Sequence, residues 1–261
     1  MRIGVAQLAA DSIDPSSTVH YETYVDRAYS AGCNWVVFPE LSDSGYNLHV
    51  SSPVANDHQN GLARMAQQRG LWIFAGMRRS GSPLDYNALM VFSPSGKGMP
   101  AYHKMHLFAH GEVPENRFFS SGAEPVIVQA DGIRVGLSIC FDLRFPFLYR
   151  AYAKRGVEIF IVSSAWPNVR IEDWTLLLRA RALENQAIAI GVNYCSGQQK
   201  LLFGGNSMVC GPDGRVLGSA PSDASTLLVC DVDLQSVVQA RRDFPVLLDD
   251  HEIDVIDYIG G

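Results

Sequence analysis

Residues 133–146, Ile-Arg-Val-Gly-Leu-Ser-Ile-Cys-Phe-Asp-Leu-Arg-Phe-Pro, constrain the fold of this chain more than any other stretch. Ile133, Val135, Leu137 and Ile139 alternate with smaller or polar residues, which is the period of a buried strand. Pro146 then stands where the first turn of a helix accepts it, ahead of residues 147–155. A strand running straight into a helix is the repeating step of an α/β sheet, and Cys140 occupies the junction. Such a turn presents its side chain at the mouth of a site and brings backbone N–H groups near the sulfur. Those groups favour a thiolate and can hold an oxyanion, so Cys140 is the first candidate nucleophile.

Strands and helices alternate through the rest of the chain. Residues 2–8 read as a strand, 17–31 as a helix ended by Gly32, and 34–38 as a second strand closed by Pro39 and Glu40. This βαβ unit predicts two parallel strands in one sheet. A polar loop over 42–57 leads to a helix at 59–69, strands at 71–78 and 87–92, a turn at 93–96, and an antiparallel strand approaching Tyr102. Residues 107–122 have no clean period and read as an ordered, functional loop with one short helix. After the Cys140 junction come a strand at 157–163, a helix at 172–186, strands at 187–193, 205–210, 215–219 and 226–232, and a helix at 234–242. No linker or repeat interrupts the 261 residues, so 1–261 is expected to be a single α/β domain.

Composition narrows the function. The 21 basic and 27 acidic residues give a net charge of −6, and no Lys/Arg cluster marks a nucleic-acid track. Met1-Arg2 leads at once into a strand, and no apolar run approaches the ~18 residues of a membrane span. A cytoplasmic protein, bound neither to nucleic acid nor to membrane, is expected. The five cysteines, 33, 140, 195, 210 and 230, lie singly and read as reduced thiols.

In open α/β sheets the ligand crevice lies beyond the carboxyl ends of the strands. Glu40, Cys140 and Trp166 each stand at such an end, and Lys104 follows the strand that reaches Tyr102. A cysteine at its ordinary pKa of ~8.5 is only slightly ionised at neutral pH. Lys104 can supply a cation to it and Glu40 a base. Each residue taken alone also has a plain structural reading: Cys140 as a packed thiol, Glu40 as the start of a solvated loop, Lys104 as a surface charge. His103, His106 and His110 have a spacing that can converge on zinc, but the stretch is not helical and no further ligand is well spaced, so no metal is expected. Ser138 lies inside the strand and is rejected as a nucleophile.

Three segments together resemble the signatures of the nitrilase, or carbon–nitrogen hydrolase, superfamily. They are Phe38-Pro39-Glu40-Leu41 with Gly45-Tyr46, Tyr102-His103-Lys104-Met105-His106-Leu107, and Cys140-Phe141-Asp142-Leu143-Arg144-Phe145-Pro146. Ser164-Ala165-Trp166-Pro167, residues 179–185, 205–207 and 243–245 extend the resemblance over nearly the whole chain. It implies a four-layer αββα sandwich, a homodimer, and hydrolysis of a small-molecule amide without metal or organic cofactor. It further implies Cys140 as nucleophile, Glu40 as general base and acid, and Lys104 with the Phe141 backbone N–H as oxyanion donors. A second glutamate is implied in the loop before the cysteine, where Glu112 and Glu115 both qualify. Counting back from Gly122 selects Glu115, and Tyr46, Trp166 and Glu112 are left to line the pocket. The segment around Cys140 is most similar to the omega-amidase and deaminated-glutathione-amidase branch, which implies an ω-amide of a dicarboxylate. An N-carbamoyl amine or an aliphatic amide is the alternative, and a non-catalytic binding member of the same fold is the bland one.

Overall fold

The computed structural model describes residues 1–50, 52–98, 102–110, 114–197 and 202–251, with side chains from 57 onward in the helix that begins at Ser52. Valine- and isoleucine-rich runs form two six-stranded sheets. One contains β1 (Arg2–Gln7), β2 (Trp35–Phe38), β3 (Trp72–Arg79), β4 (Tyr86–Phe92), β5 (Tyr102–His103) and, far along the chain, β12 (Thr226–Asp231). The other contains β6 (Ile127–Ala130), β7 (Ile133–Ile139), β8 (Ile159–Ser163), β9 (Ile188–Val192), β10 (Met208–Cys210) and β11 (Val216–Ser219). Their orders are β12-β1-β2-β3-β4-β5 and β11-β10-β9-β8-β7-β6. Five longer helices join them: α1 (Val19–Ser30), α2 (Ser52–Arg69), α3 (Pro146–Lys154), α4 (Ile171–Asn185) and α5 (Gln235–Asp243).

The expected parallel pairing of the first βαβ unit is present, with Ile3 opposite Trp35 and Val5 opposite Val37. β7, β8 and β9 are likewise parallel, and strict alternation along them sorts their side chains into two faces. Gly136, Ser138, Phe160 and Gly191 face helices: Ser138 Oγ meets Tyr149 Oη of α3 at 2.8 Å, and Phe160 packs edge-on to Tyr149. The intervening residues Val135, Leu137, Ile159, Ile161 and Ile188 face the first sheet, and join Ile3, Val5, Trp35, Val37 and Phe74 in one core. α1 and α2 cover the opposite face of that first sheet through Tyr21, Val25, Leu62 and Ala66. The layers are therefore αββα, as the resemblance implies.

The sheets make a close contact beside the end of β2. Ser163 Oγ on β8 donates to the Phe38 carbonyl at 2.9 Å. Gly76 on β3 faces the same point: a Cβ there would lie 2.5 Å from the Pro39 carbonyl oxygen and 2.6 Å from both Glu40 Cα and Ser163 Oγ. Only a residue without a side chain lets these three segments meet.

Two elements differ from the sequence expectation. The loop expected over 42–57 gives way to helix at Ser52, because a Pro and several Asn and Asp residues in the first turns disguise a helix start that tolerates them. β6 was not expected at all. It pairs with β7 through Asp131 and Gly132, whose φ values of 51° and 82° are those of a primed hairpin turn, which an Asp-Gly pair signals.

Candidate active site

Three buried charges stand behind Cys140. Glu40 stands two residues beyond the end of β2 and is fully enclosed, as is Glu115, while Lys104 is 1% exposed. Glu40 Oε1 accepts hydrogen bonds from Lys104 Nζ at 2.6 Å and Asn87 Nδ2 at 2.7 Å, and its Oε2 accepts the Ala165 N–H at 2.9 Å. Lys104 Nζ also donates to Glu115 Oε1 at 2.8 Å. That oxygen takes the Tyr46 hydroxyl at 2.8 Å, and Oε2 takes the Phe108 N–H at 2.8 Å. Each carboxylate thus accepts three hydrogen bonds, supplied by the two sheets, the turn after β2 and the loop after β5.

Backbone geometry delivers these groups. Leu41 and Tyr46 adopt left-handed conformations, with φ of 46° and 66°, which folds the turn after Glu40 back toward Glu115. Glu115 opens a single 3-10 turn, Glu115–Arg117, within the loop expected to contain one. Gly122 earns its place as an anchor physically: its N–H donates to the Lys104 carbonyl at 2.8 Å, and a Cβ there would lie 2.1 Å from the His103 carbonyl oxygen. Glu112 lies outside the described residues, whereas Glu115 holds Lys104.

Cys140 sits at the end of β7 with φ of 46°, opening a 3-10 turn, Cys140–Arg144, before α3 begins with Pro146. The junction is as expected, but the electrostatics are not. Burial raises the Cys140 pKa well above its ordinary value, and the Glu40 charge raises it further, against Lys104 and the Ala165 N–H, which lower it. The thiolate expected from the sequence is therefore disfavoured, first by burial and then by the Glu40 and Glu115 charges, which the Lys104 cation opposes without overcoming. Burial also raises Glu40, with Glu115 adding to the shift and Lys104 opposing it. For Lys104 burial acts downward, but Glu115 and Glu40 outweigh it and hold the ammonium charged far above neutral pH. The site is a protonated thiol beside a carboxylate with raised basicity.

Asp142, two residues after the cysteine, ties that turn to the lysine segment. Its Oδ2 accepts the Tyr102 hydroxyl at 2.7 Å and the Ile139 N–H at 3.0 Å, and its Oδ1 accepts the His106 N–H at 3.0 Å. His106 Nδ1 also lies 2.7 Å from Oδ1, and its ring stacks 3.6 Å from Phe145. The three histidines go to different places: His103 stacks on Tyr86 at 4.0 Å, His106 binds Asp142, and His110 borders the cavity. Among the described residues no group of three or more His, Cys, Asp and Glu could hold a metal ion.

A cavity of about 250 Å³ opens over Cys140. Tyr46, Phe108, Phe141 and Trp166 wall it, so the two pocket residues expected besides Glu112, Tyr46 and Trp166, both belong to it. Trp166 is fixed by its indole N–H, which donates to the Arg170 carbonyl at 2.7 Å. Ser138 is fully buried and bonded to Tyr149 and to the Ile161 carbonyl, away from this cavity.

A profile of the carbon–nitrogen hydrolase family matches residues 2–242. The chain belongs to that family. A hydrolase of Mycobacterium tuberculosis is 34% identical over 276 residues, covering 98% of each chain. A 2-oxoglutaramate amidase of Bacillus subtilis is 29% identical, covering 90% of this chain and 92% of its own. An omega-amidase of Mus musculus is 28% identical, covering 94% and 93%. Among solved structures, an amidase of Nesterenkonia sp. superposes with a TM-score of 0.82 at 27% identity, covering 94% of this chain and 95% of that one. A variant of that amidase carries the acetamide moiety of fluoroacetamide on its active-site cysteine.

Within this carbon–nitrogen hydrolase site, several contributors escaped the sequence reading. Asn87 is a polar residue in the apolar run Tyr86–Phe92, a signal for a buried partner, and it holds Glu40. Asp142 lay inside a recognised segment but its four contacts come from residues 3 to 40 positions away. The Ala165 N–H has no sequence signal, being a backbone donor whose aim depends on the end of β8.

Proposed function

We propose that this protein hydrolyses the terminal amide of a small dicarboxylate ω-amide through a Cys140 thioester, releasing ammonia. The observation that carries it is the Lys104 ammonium wedged between the Glu40 and Glu115 carboxylates beside Cys140. Relatives named for 2-oxoglutaramate and ω-amides support the substrate class. Cys140 enters as a thiol, so its proton passes to Glu40 as the sulfur attacks the amide carbon. Lys104 has three N–H bonds and two serve the carboxylates, so the third, with the Phe141 N–H, is assigned to the developing oxyanion. Protonated Glu40 then gives its proton to the departing ammonia, and next removes one from the water that cleaves the thioester. The last proton returns to the sulfur. Tyr46 and Trp166 bound the substrate, and Glu115 fixes Lys104. An N-carbamoyl amine or simple aliphatic amide is the alternative substrate. Ammonia release from a panel of these amides, with intact-mass detection of an acyl adduct on Cys140, tests the reading; no release from any member would overturn it.

Glu115→Gln should lower kcat by roughly 100-fold or more, because Lys104 then loses one of its two anchors. Steady-state kinetics with circular dichroism checks this, and near wild-type turnover would show that Glu115 is a bystander.

The pH profile follows from the raised Glu40 pKa. Its basic form, needed to receive the thiol proton, is lost as pH falls through that raised value, so kcat/KM should begin to drop above the usual carboxylate range of ~4.3. Lys104 keeps its proton far above neutrality and adds no alkaline limb there. An ascending limb near ~8.5 would instead mean that a preformed thiolate is the active species.

Homodimer formation and a cytoplasmic location complete the proposal. All five cysteines are free and buried, which suits a reducing compartment, and no described helix is long and apolar enough to cross a membrane. The helical layer over the second sheet leaves Phe147 86%, Val169 87% and Leu176 67% exposed, an apolar surface suited to a second copy. Light scattering at micromolar concentration should give about twice the 28.6 kDa chain mass; a monomer would refute the dimer.

A further inference from the structure

Two guanidinium groups, of Arg144 and Arg170, border the cavity over Cys140, and none of its described lining residues is Asp or Glu. The two are not equivalent. Arg144 Nη2 donates to Asp173 Oδ2 at 2.5 Å, and its guanidinium carbon lies 5.2 Å from the centre of the Trp166 ring. Its charge is already matched by a carboxylate. Arg170 has no carboxylate within ion-pair distance among the described residues. Its guanidinium carbon lies 5.7 Å from the centre of the Phe108 ring. Its backbone is fixed on both sides, the N–H donating to the Pro167 carbonyl at 3.0 Å and the carbonyl accepting the Trp166 indole N–H at 2.7 Å. An exposed cation with no carboxylate partner among the described residues thus borders the same apolar cavity as Cys140.

We infer that Arg170 receives the carboxylate of the substrate while its amide meets Cys140, and so sets the preference for ω-amides over neutral amides. This deepens the amidase reading above and rests on it. A guanidinium offers a planar pair of donors that matches a carboxylate, and Phe108 and Phe141 give the cavity between it and Cys140 an apolar lining. Phe108 supplies a second link: its N–H holds Glu115, so an anion drawn to Arg170 packs against the residue that orients the Lys104 anchor.

The test compares kcat/KM for glutaramate, which carries a carboxylate, with that for neutral butyramide, in the wild type, R170Q, R170K and R144Q. The wild type should favour glutaramate. In R170Q that ratio should fall on the order of 10- to 100-fold, mainly through KM for glutaramate, and R170K should recover part of it. R144Q should change the ratio less than R170Q does. A preference that survives in R170Q, or one that only R144Q removes, overturns the assignment. A wild type that cleaves both amides equally overturns it while leaving the amidase reading intact. If neither amide is cleaved the amidase reading falls, and calorimetric titration of the full-length protein with glutarate still decides Arg170: binding weakened by R170Q supports the carboxylate site, and equal or absent binding removes it.

Discussion

Glu40→Gln should abolish turnover in a protein that still folds. In the proposed mechanism the substitution removes the group that accepts the thiol proton in the first half-reaction and the water proton in the second, so no partial reaction is left to run. The geometry adds a second cost. Three donors converge on the carboxylate, Lys104 Nζ and Asn87 Nδ2 on one oxygen and the Ala165 N–H on the other. An amide presents an NH2 on one side, so at least one donor must face another donor, which costs about 1–3 kcal/mol for a buried unsatisfied group. The expected result is a circular dichroism spectrum like that of the wild type, a modestly lower unfolding midpoint, and no measurable ammonia release. Turnover within ten-fold of wild type would show that another group moves the protons.

Lys104→Met has the largest expected effect on stability. Without the ammonium, two fully buried carboxylates face each other across the space it occupied, and removing one partner of such a buried network costs about 3–5 kcal/mol. Loss of an oxyanion donor adds roughly 100- to 1000-fold in kcat. The pH dependence carries the diagnostic sign. With burial no longer opposed by Lys104, Glu40 in the variant has a folded-state pKa raised above its unfolded one, so folding is favoured by proton uptake. The penalty should be full at neutral pH, above the raised values, and should shrink as pH falls toward the unfolded carboxylate range near 4. Urea midpoints at pH 7 and pH 5 measure it. A variant as stable as wild type at pH 7, or one that weakens further at pH 5, would contradict the picture of Lys104 as the counter-charge of both carboxylates.

The sequence exposed the ends of the strands better than what lies between them. Glu40, Cys140 and Trp166 were legible because each follows an apolar run whose period marks it as buried, and the carboxyl ends of such strands are where ligands bind in α/β sheets. Lys104 was legible as a candidate cation beyond the strand that reaches Tyr102, though alone it reads equally as a surface charge, and Glu115 depended on the family resemblance. The protonation of Cys140 was not legible at all. A nearby cation predicts a thiolate, but the outcome is set first by how deeply the sulfur is buried and then by the carboxylate charges around it, and Glu40 and Glu115 lie 64 and 11 positions from Lys104. Local composition also failed at Ser52, where cap-like residues begin a helix, and at β6, where four residues carry too little period to declare a strand.

The close approach around Gly76 has a consequence for how this fold tolerates change. In the proposed mechanism the base and the nucleophile hang from different sheets, Glu40 just beyond β2 and Cys140 at the end of β7, and a close contact between those sheets lies beside the base. Their spacing is therefore a dimension of the interlayer gap and not of any single loop. A displacement of about 1 Å between reacting groups can cost 100-fold in rate, whereas overpacking by a methyl group costs a core about 1–3 kcal/mol. Slippage between the layers would silence the chemistry while most of the folding free energy remained. In this architecture turnover works as a strain gauge between two sheets, registering misalignment well before melting does.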